Sequence, residues 1–189
     1  MTQSITITCY TIILLLHPVI TTSTFSLFSC VNYEDGKTYL RRDMDIECWG
    51  EEQVKFSLLI GIPFIAVWTI GFPVYIFIKM RSKRSQFDDT KNLKLYGLFY
   101  VGLSNDVYYW EIIVVNLRKL LIIAAGTFLN QDYSSFKALL TIIVLMSQNY
   151  YTRKLEPYID PRNTNIDFHS SMASILILFG GMFFIDADV

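Results

Sequence analysis

The chain has 189 residues, of which 52% are hydrophobic and 17% charged, with a formal net charge of −1. Soluble domains carry about 25% charged residues, and here the apolar residues are gathered into long runs, which excludes one soluble core and indicates a membrane protein. The near-zero charge and the lack of a basic stripe exclude a nucleic-acid partner, and three cysteines, Cys9, Cys30 and Cys48, exclude a disulfide-rich scaffold.

Ile5–Phe28 is the first expected span. It is apolar but diluted by threonine, with Pro18 near its middle. Thr and Ser hydroxyls can return hydrogen bonds to the carbonyl that a proline leaves free, so the proline is tolerable in a membrane helix. A cleaved signal peptide is the competing reading; no Lys or Arg precedes the apolar run, which counts against it. His17 reads as a packed polar residue beside a proline, with a proton role as the alternative.

Residues 29–55 form a polar loop with seven acidic and four basic residues. Glu34-Asp35-Gly36-Lys37 predicts a tight turn, with glycine supplying the positive φ. Cys30 and Cys48 pair if the loop faces an oxidising compartment, closing it with roughly 3 kcal/mol of stabilisation. Otherwise they are two free thiols. They do not make a metal motif, because no further Cys or His stands at ligand spacing.

Phe56–Ile78 is the strongest span, 23 residues without a charge, long enough for about 30 Å of hydrocarbon. Gly61 and Pro63 recur as Gly71 and Pro73 ten residues later. Pro63 and Pro73 are the expected kink residues, either in a packing helix or as a gating hinge. The connector 79–108 begins with Lys79, Arg81, Lys83 and Arg84, which sets it on the cytoplasmic side. Within it, Lys94–Asn105 is too short to span and reads as an interfacial segment with Tyr96, Phe99 and Tyr100 on one side. Tyr108, Tyr109 and Trp110 then read as interfacial aromatics.

Tyr109–Leu129 is the third expected span and the one around which the chain is organised. It carries Glu111, Asn116, Arg118 and Lys119, an intramembrane polar cluster. Each charged group at mid-membrane costs roughly 2.5–3.5 kcal/mol on an insertion scale, so each needs a partner, water or a nearby interface. Glu111 and Arg118 stand about 10 Å apart along one helix, too far for direct contact. Snorkelling or an ion pair with another helix is one reading, and an ion or substrate pathway is the other. Phe136–Tyr150 is a short fourth span ending in Gln148 and Asn149. Residues 151–167 return to the inside, where Glu156-Pro157 and Asp160-Pro161 are expected to stop any helix. Phe168–Ile185 is the last span, with Ser170, Ser171, Ala173 and Ser174 and the pair Gly180-Gly181 as small residues suited to close packing.

The expected fold class is therefore all-α: a polytopic membrane helix bundle of about five transmembrane helices plus one interfacial segment. It forms a single module over residues 1–189. Crossing by crossing, the N-terminus is cytoplasmic, the loop 29–55 outside and the C-terminus outside. Both ends read as cuts through a longer multipass protein. No Gly-x-Ser-x-Gly, metal-binding His pair or nucleotide loop is present; His169 beside Ser170 and Ser171 is too little for an intramembrane enzyme. No catalytic residue, metal or cofactor is expected. The expected partners are the lipid bilayer and other subunits in a homo- or hetero-oligomer.

Several short motifs occur in a recognisable order: LLHPVITTSTFSLFSC with Cys30, DMDIECWG with Cys48 and Trp49, YGLFYVGLSNDVYYWEIIVVNLRKLLII, then KLEPY and the Asn-Ile-Asp before the last span. In this order they resemble the C-terminal multipass membrane module of cysteine-rich surface proteins of ciliates and other protists. That module is distantly similar to the TRP-like (polycystin-related) membrane region of fungal proteins. The resemblance covers nearly the whole chain, and its specific part is the Tyr-Gly … Tyr-Tyr-Trp-Glu … Arg-Lys-Leu-Leu string. It implies a membrane bundle with the Cys30/Cys48 loop outside, long extracellular cysteine-rich repeats upstream in other members, and a plasma-membrane location. Through the TRP-like relatives it implies a cation channel or transporter module, with Glu111, Asn116, Arg118 and Lys119 as its polar lining. A non-transporting structural subunit or anchor is the alternative.

Overall fold

The computed structural model describes residues 2–33, 36–87, 89–129 and 134–185. Glu34 and Asp35 of the expected turn, most of the polar turn at 130–135, and Asp186 and Asp188 lie outside these residues. Six helices and one small sheet make up the rest. The first helix, α1 (Thr2–Ser26), runs through Pro18. Its hydroxyls do bond back to the helix, but onto the carbonyls of Ile7, Pro18 and Ile20. The carbonyl that Pro18 deprives of its donor belongs to Leu14, so the threonines serve themselves rather than the proline.

The polar loop is not merely irregular, which corrects the purely α-helical expectation. Strands β1 (Cys30–Asn32), β2 (Thr38–Leu40) and β3 (Asp43–Glu47) form an antiparallel sheet in that order. Gly36 takes φ +77° in the β1–β2 turn, a backbone region that costs glycine nothing. Cys30 pairs with Leu40 across the sheet and is disulfide-bonded to Cys48, just past β3. The bond therefore ties the first strand to the end of the third.

Glu51–Ser82 is one helix of 32 residues, α2. It changes its winding twice: Ser57–Gly61 and Ile65–Gly71 are π-helical, and each ends two residues before a proline. The reason is local. A proline lacks the N–H that an α-turn needs, and widening the preceding turn relocates the loss. At Gly61 a second constraint acts, because an added Cβ would meet the Phe28 ring at 2.8 Å. A turn at Arg84–Gln86 leads to α3 (Thr90–Tyr100), capped by the Asp89 carboxylate, which accepts from the Lys91 N–H. Helix α4 begins as a π-segment, Trp110–Val115, and continues as Asn116–Phe128. Then come α5 (Ser134–Leu155) and α6 (Pro161–Ile185).

The last helix starts earlier than expected. Pro161 opens α6 rather than stopping a helix, because a proline in the first turn forfeits no internal bond. The Asp160 carboxylate accepts from the Arg162 N–H at 2.9 Å and caps the end. Asn165 and Asp167 consequently lie inside a helix.

Helices α5 and α6 pack as a hairpin, α4 packs between α1 and α5, and α1 also contacts α2 and α3. One core is aromatic: Ile76, Met80, Phe87, Phe99, Tyr100, Tyr108 and Ile112, gathered from α2, α3, α4 and the turns that join them. A second core, Ile142, Leu145 and Ile175, joins α5 to α6. Three helices are long and apolar enough to cross a membrane, at Ile5–Ser26, Glu51–Ser82 and Pro161–Phe184. Helices α4 and α5 do not meet that measure: α4 carries Glu111, Arg118 and Lys119, and α5 ends in Gln148, Asn149, Arg153 and Lys154. Large apolar side chains such as Leu59, Val67, Ile177 and Phe184 stand exposed, as hydrocarbon-facing residues do.

Candidate functional site

Helix α4 distributes the four polar residues to two sides. Arg118 faces α5 and α6, where its Nη1 lies 4.0 Å from the Asp167 carboxylate, both side chains being 21% exposed. Thr152 of α5, fully buried, donates to the other Asp167 oxygen at 3.5 Å. Asp167 thus sits where three helices meet. Among the described residues no ion pair joins Glu111 or Lys119 to an opposite charge.

A short cross-link holds the end of this seam. Leu103 and Tyr158 form an isolated antiparallel bridge, Ser104 N–H donates to the Pro157 carbonyl at 2.8 Å, and Ile159 N–H donates to Gly102 at 3.0 Å. Gly102 adopts φ +89° to allow it. The bridge places Tyr158 near Glu111, Arg118, Asp167 and the indole of Trp110. Burial pushes the Tyr158 phenol up to about 12, and the negative charges of Asp167 and Glu111 add to the rise while Arg118 opposes it. The phenol stays neutral and its hydroxyl keeps its proton.

Polar groups continue into α5 without partners. Both side-chain amide atoms of Gln148 and both of Asn149 are buried and make no hydrogen bond among the described residues, and the same holds for the hydroxyls of Thr164 and Ser171 on α6. Gln148 lines a cavity of about 280 Å³ with Tyr109, Trp110, Leu117, Arg118 and Ser147. A second, larger groove of about 520 Å³ lies on the other side of Arg118, between α4, α5 and α6. A buried amide without a partner costs about 1–3 kcal/mol, so such a row is uncommon in a sealed helix interface.

Asn116 turns the other way, toward α1 and α2, and lines a cavity of about 160 Å³ with His17, Thr69 and Pro73. Here the widened turn of α2 has a definite effect. The Phe72 N–H bonds to Val67 five residues back, so the next bond in that register would run from residue 73 to Trp68. Residue 73 is proline and has no N–H. The carbonyls of Trp68 and Thr69 are therefore the ones left open in the π and α registers, and the His17 ring lies against the backbone of these two residues. Thr21 and Thr69 share a hydrogen bond of 3.4 Å one turn farther along.

The other expected residues fall as follows. Tyr108 and Trp110, read as an aromatic belt, are buried: Trp110 is fully covered and Tyr108 packs against Phe77 and Phe87. Tyr109 is partly covered and meets Phe77 edge-on. Gly180 and Gly181 have open space where a Cβ would stand, so within the chain they serve no close approach. His169 is exposed and stacks edge-on with Phe168. Among the described residues no three His, Cys, Asp or Glu side chains gather to hold a metal.

Asp167, Thr152 and Tyr158 were not assigned to the site from sequence. A signal existed for two of them. Asp160-Pro161 is a helix-start signature that puts Asp167 on a helix, and Thr141, Leu145, Gln148 and Thr152 follow a spacing of one helix face. Tyr158 had none, because its position depends on pairing between two distant loops.

No protein-family model matches the chain, and no solved structure matches it. The chain is 24% identical over 144 residues to cysteine repeat modular protein A of Toxoplasma gondii. That similarity covers 71% of this chain and 5% of the Toxoplasma protein, so the chain spans only a small part of its relative's length.

Proposed function

We propose that this chain is a five-crossing membrane module, N-terminus cytoplasmic and disulfide-closed sheet outside, whose α4–α6 seam handles a cation or small solute. Helices α4 and α5 join the three long apolar helices as crossings, with Arg118 and Gln148 turned into the seam and Asn116 toward α1 and α2. The observation that carries the reading is the pair of buried, unpartnered amides at Gln148 and Asn149, next to the Arg118–Asp167 pair. In a bilayer such groups need water or a solute, and intramembrane polar side chains mark ion and substrate paths. The positive connector Lys79–Arg84 supports the orientation. The motif order and the similarity to the Toxoplasma cysteine repeat modular protein support placing it among the membrane modules of protist cysteine-rich surface proteins, at the plasma membrane.

The test is flux from proteoliposomes loaded with a cation-sensitive dye. Gln148→Leu and Glu111→Gln are expected to lower flux at least tenfold while the protein still elutes as the wild type does. Unchanged flux in both variants overturns the transport reading.

A structural subunit is the second reading. It is favoured by α6, whose Ala173, Ser174, Gly180 and Gly181 meet little of their own chain. Native gels then show one stable larger complex, and the wild type passes no ions. A monomer in mild detergent counts against it.

A further inference from the structure

The groove between α4, α5 and α6 has two chemically different ends. Arg118, Lys119, Asp167, Ser170 and Ser171 line one end; Ile122, Leu145, Ile177 and Leu178 line the other, together with Ser174 and Thr141, whose hydroxyls are bonded back to carbonyls of their own helices. The polar end carries two cations against one carboxylate, a net charge of +1. Asp167 holds Arg118 only at 4.0 Å, beyond hydrogen-bond distance, so the guanidinium retains donors for another acceptor. Lys119 has no ion-pair partner among the described residues. Ser171 lines the groove and is only 5% exposed, and its hydroxyl is buried just beneath the groove wall with no hydrogen bond among the described residues.

A ligand that satisfies this end has about one negative charge and several acceptor oxygens. Arginine and serine hydroxyls bind phosphate well, and a lysine adds a point charge. The apolar end excludes a small ion as the whole ligand. From Asp167 to Leu178 the groove runs about 16 Å along the helix, and at about 520 Å³ it has the size of an ordinary small-molecule site, roughly 300–1,000 Å³. Ile177 is 74% exposed, so the apolar end opens sideways onto the hydrocarbon, where a lipid tail enters without crossing water. A zwitterionic headgroup has no net charge and leaves the excess +1 of this end uncompensated, which a net-anionic one does not.

We propose that this groove binds a phospholipid with a net negative headgroup. Its phosphate sits among Arg118, Lys119 and Ser171, and one acyl chain lies along Ile122, Leu145 and Leu178. The assignment rests on α4–α6 being embedded in the membrane, but it does not require that the module pass ions.

Native mass spectrometry of the full chain in mild detergent tests this, with phosphatidic acid, phosphatidylserine, phosphatidylcholine or inorganic phosphate added in turn. Retention of one phosphatidic acid or phosphatidylserine, at least tenfold over phosphatidylcholine, is expected. Lys119→Gln, at an exposed position that folding tolerates, is expected to cut that preference at least fivefold. Ile177→Gln is expected to weaken lipid retention without restoring phosphatidylcholine. Equal retention of charged and zwitterionic lipids, or a preference untouched by Lys119→Gln, overturns the proposal. Retention of inorganic phosphate with no lipid preference overturns it in favour of a soluble anion. The flux assay is read separately: lipid bound without flux removes the transport reading alone, and flux without lipid removes this one alone. A chain that stays soluble without detergent fails both.

Discussion

The two sides of α4 handle polarity in opposite ways. On the α1–α2 side, hydroxyls bond back to their own helix, Thr21 meets Thr69, and His17 lies over the backbone that Pro73 leaves open. Below them stands an aromatic core with Phe87 and Tyr100 stacked at 4.1 Å. On the α5–α6 side, the amides of Gln148 and Asn149 and the hydroxyls of Thr164 and Ser171 have no partner among the described residues, and two cavities flank Arg118. The first side ties most of its hydroxyls to its own helices, and only single nitrogens of His17, Trp68 and Asn116 stay unpaired there among the described residues. The second leaves whole side-chain amides unpaired beside an ion pair, and intramembrane polar groups of that kind are the ones that mark functional surfaces.

The sharpest way to break this contrast is to exchange a large group on each side. Phe99→Ala removes a ring that is 1% exposed and is expected to cost about 3–5 kcal/mol, read as a lower unfolding temperature in detergent. Gln148→Leu is expected to leave stability unchanged or to raise it by up to about 3 kcal/mol, because it removes an unsatisfied buried amide and no bond. If both variants fall equally, the α5 face is as tightly packed as the aromatic core and the contrast is wrong.

Next in size is the sheet. Replacing Cys30 and Cys48 by serine together is expected to cost about 3 kcal/mol. Reductant is expected to lower the unfolding temperature of the wild type toward that of the variant and leave the variant unchanged.

The Arg118–Asp167 pair comes third. Arg118→Leu strands a carboxylate that is one-fifth exposed and is expected to cost about 1–3 kcal/mol, between the surface and buried limits. Adding Asp167→Leu is expected to recover part of that loss, and a double-mutant cycle measures how much. Simple additivity would mean that the two side chains do not interact.

The smallest effect is in alkali. The Tyr158 phenol, raised from 10.0 to about 12, keeps its proton in the folded chain where the unfolded chain has lost it. Its contribution is complete below pH 10 and declines as pH rises toward 12. Tyr158→Phe is expected to lack that decline when unfolding is followed at pH 9, 10 and 11. An identical slope in both proteins would place the phenol in water.

How much of this was legible differs by residue. The Phe56–Ile78 run and the Gly-x-Pro pair announce α2, since an uncharged run of that length has few other uses. The spacing of Tyr96, Phe99 and Tyr100 pointed to a helical turn in the connector, but α3 runs from Thr90 to Tyr100 rather than from Lys94 to Asn105, and its cap Asp89 was not read as one. The strands were missed because three-residue pieces such as Thr38–Leu40 carry almost no period, and only their cross-links hold them. Asp160-Pro161 was read as a stop although the same pair starts a helix; the arrangement of neighbouring helices, absent from a local window, decides between the two. Within the site, Arg118 was visible as an anomaly, a cation in an apolar helix. Its partner Asp167 was not, because pairing across α4 and α6 is a property of packing. Tyr108 and Trp110 had the composition of a headgroup belt but are buried: Tyr108 joins the aromatic core, where ring-to-ring contact offers more than exposure does, and Trp110 packs in a separate cluster with Leu103 and Val115.

The paired wide turns of α2 also change how its surface is counted. Each π-turn absorbs one residue beyond the α repeat, which turns everything after it by about 100° around the axis. The stretch before Gly61 and the stretch after Pro73 therefore obey different phases. Ser57 reaches the Leu27 carbonyl just past the end of α1, whereas Ile76 and Met80 sink into the aromatic core, and no single helical wheel drawn from Glu51 to Ser82 puts all three where they belong. An aligned relative whose chain is one residue shorter in either turn would keep both contact surfaces only by straightening that turn, so length differences in α2 are to be sought at Ser57–Gly61 and Ile65–Gly71 before anywhere else in the helix.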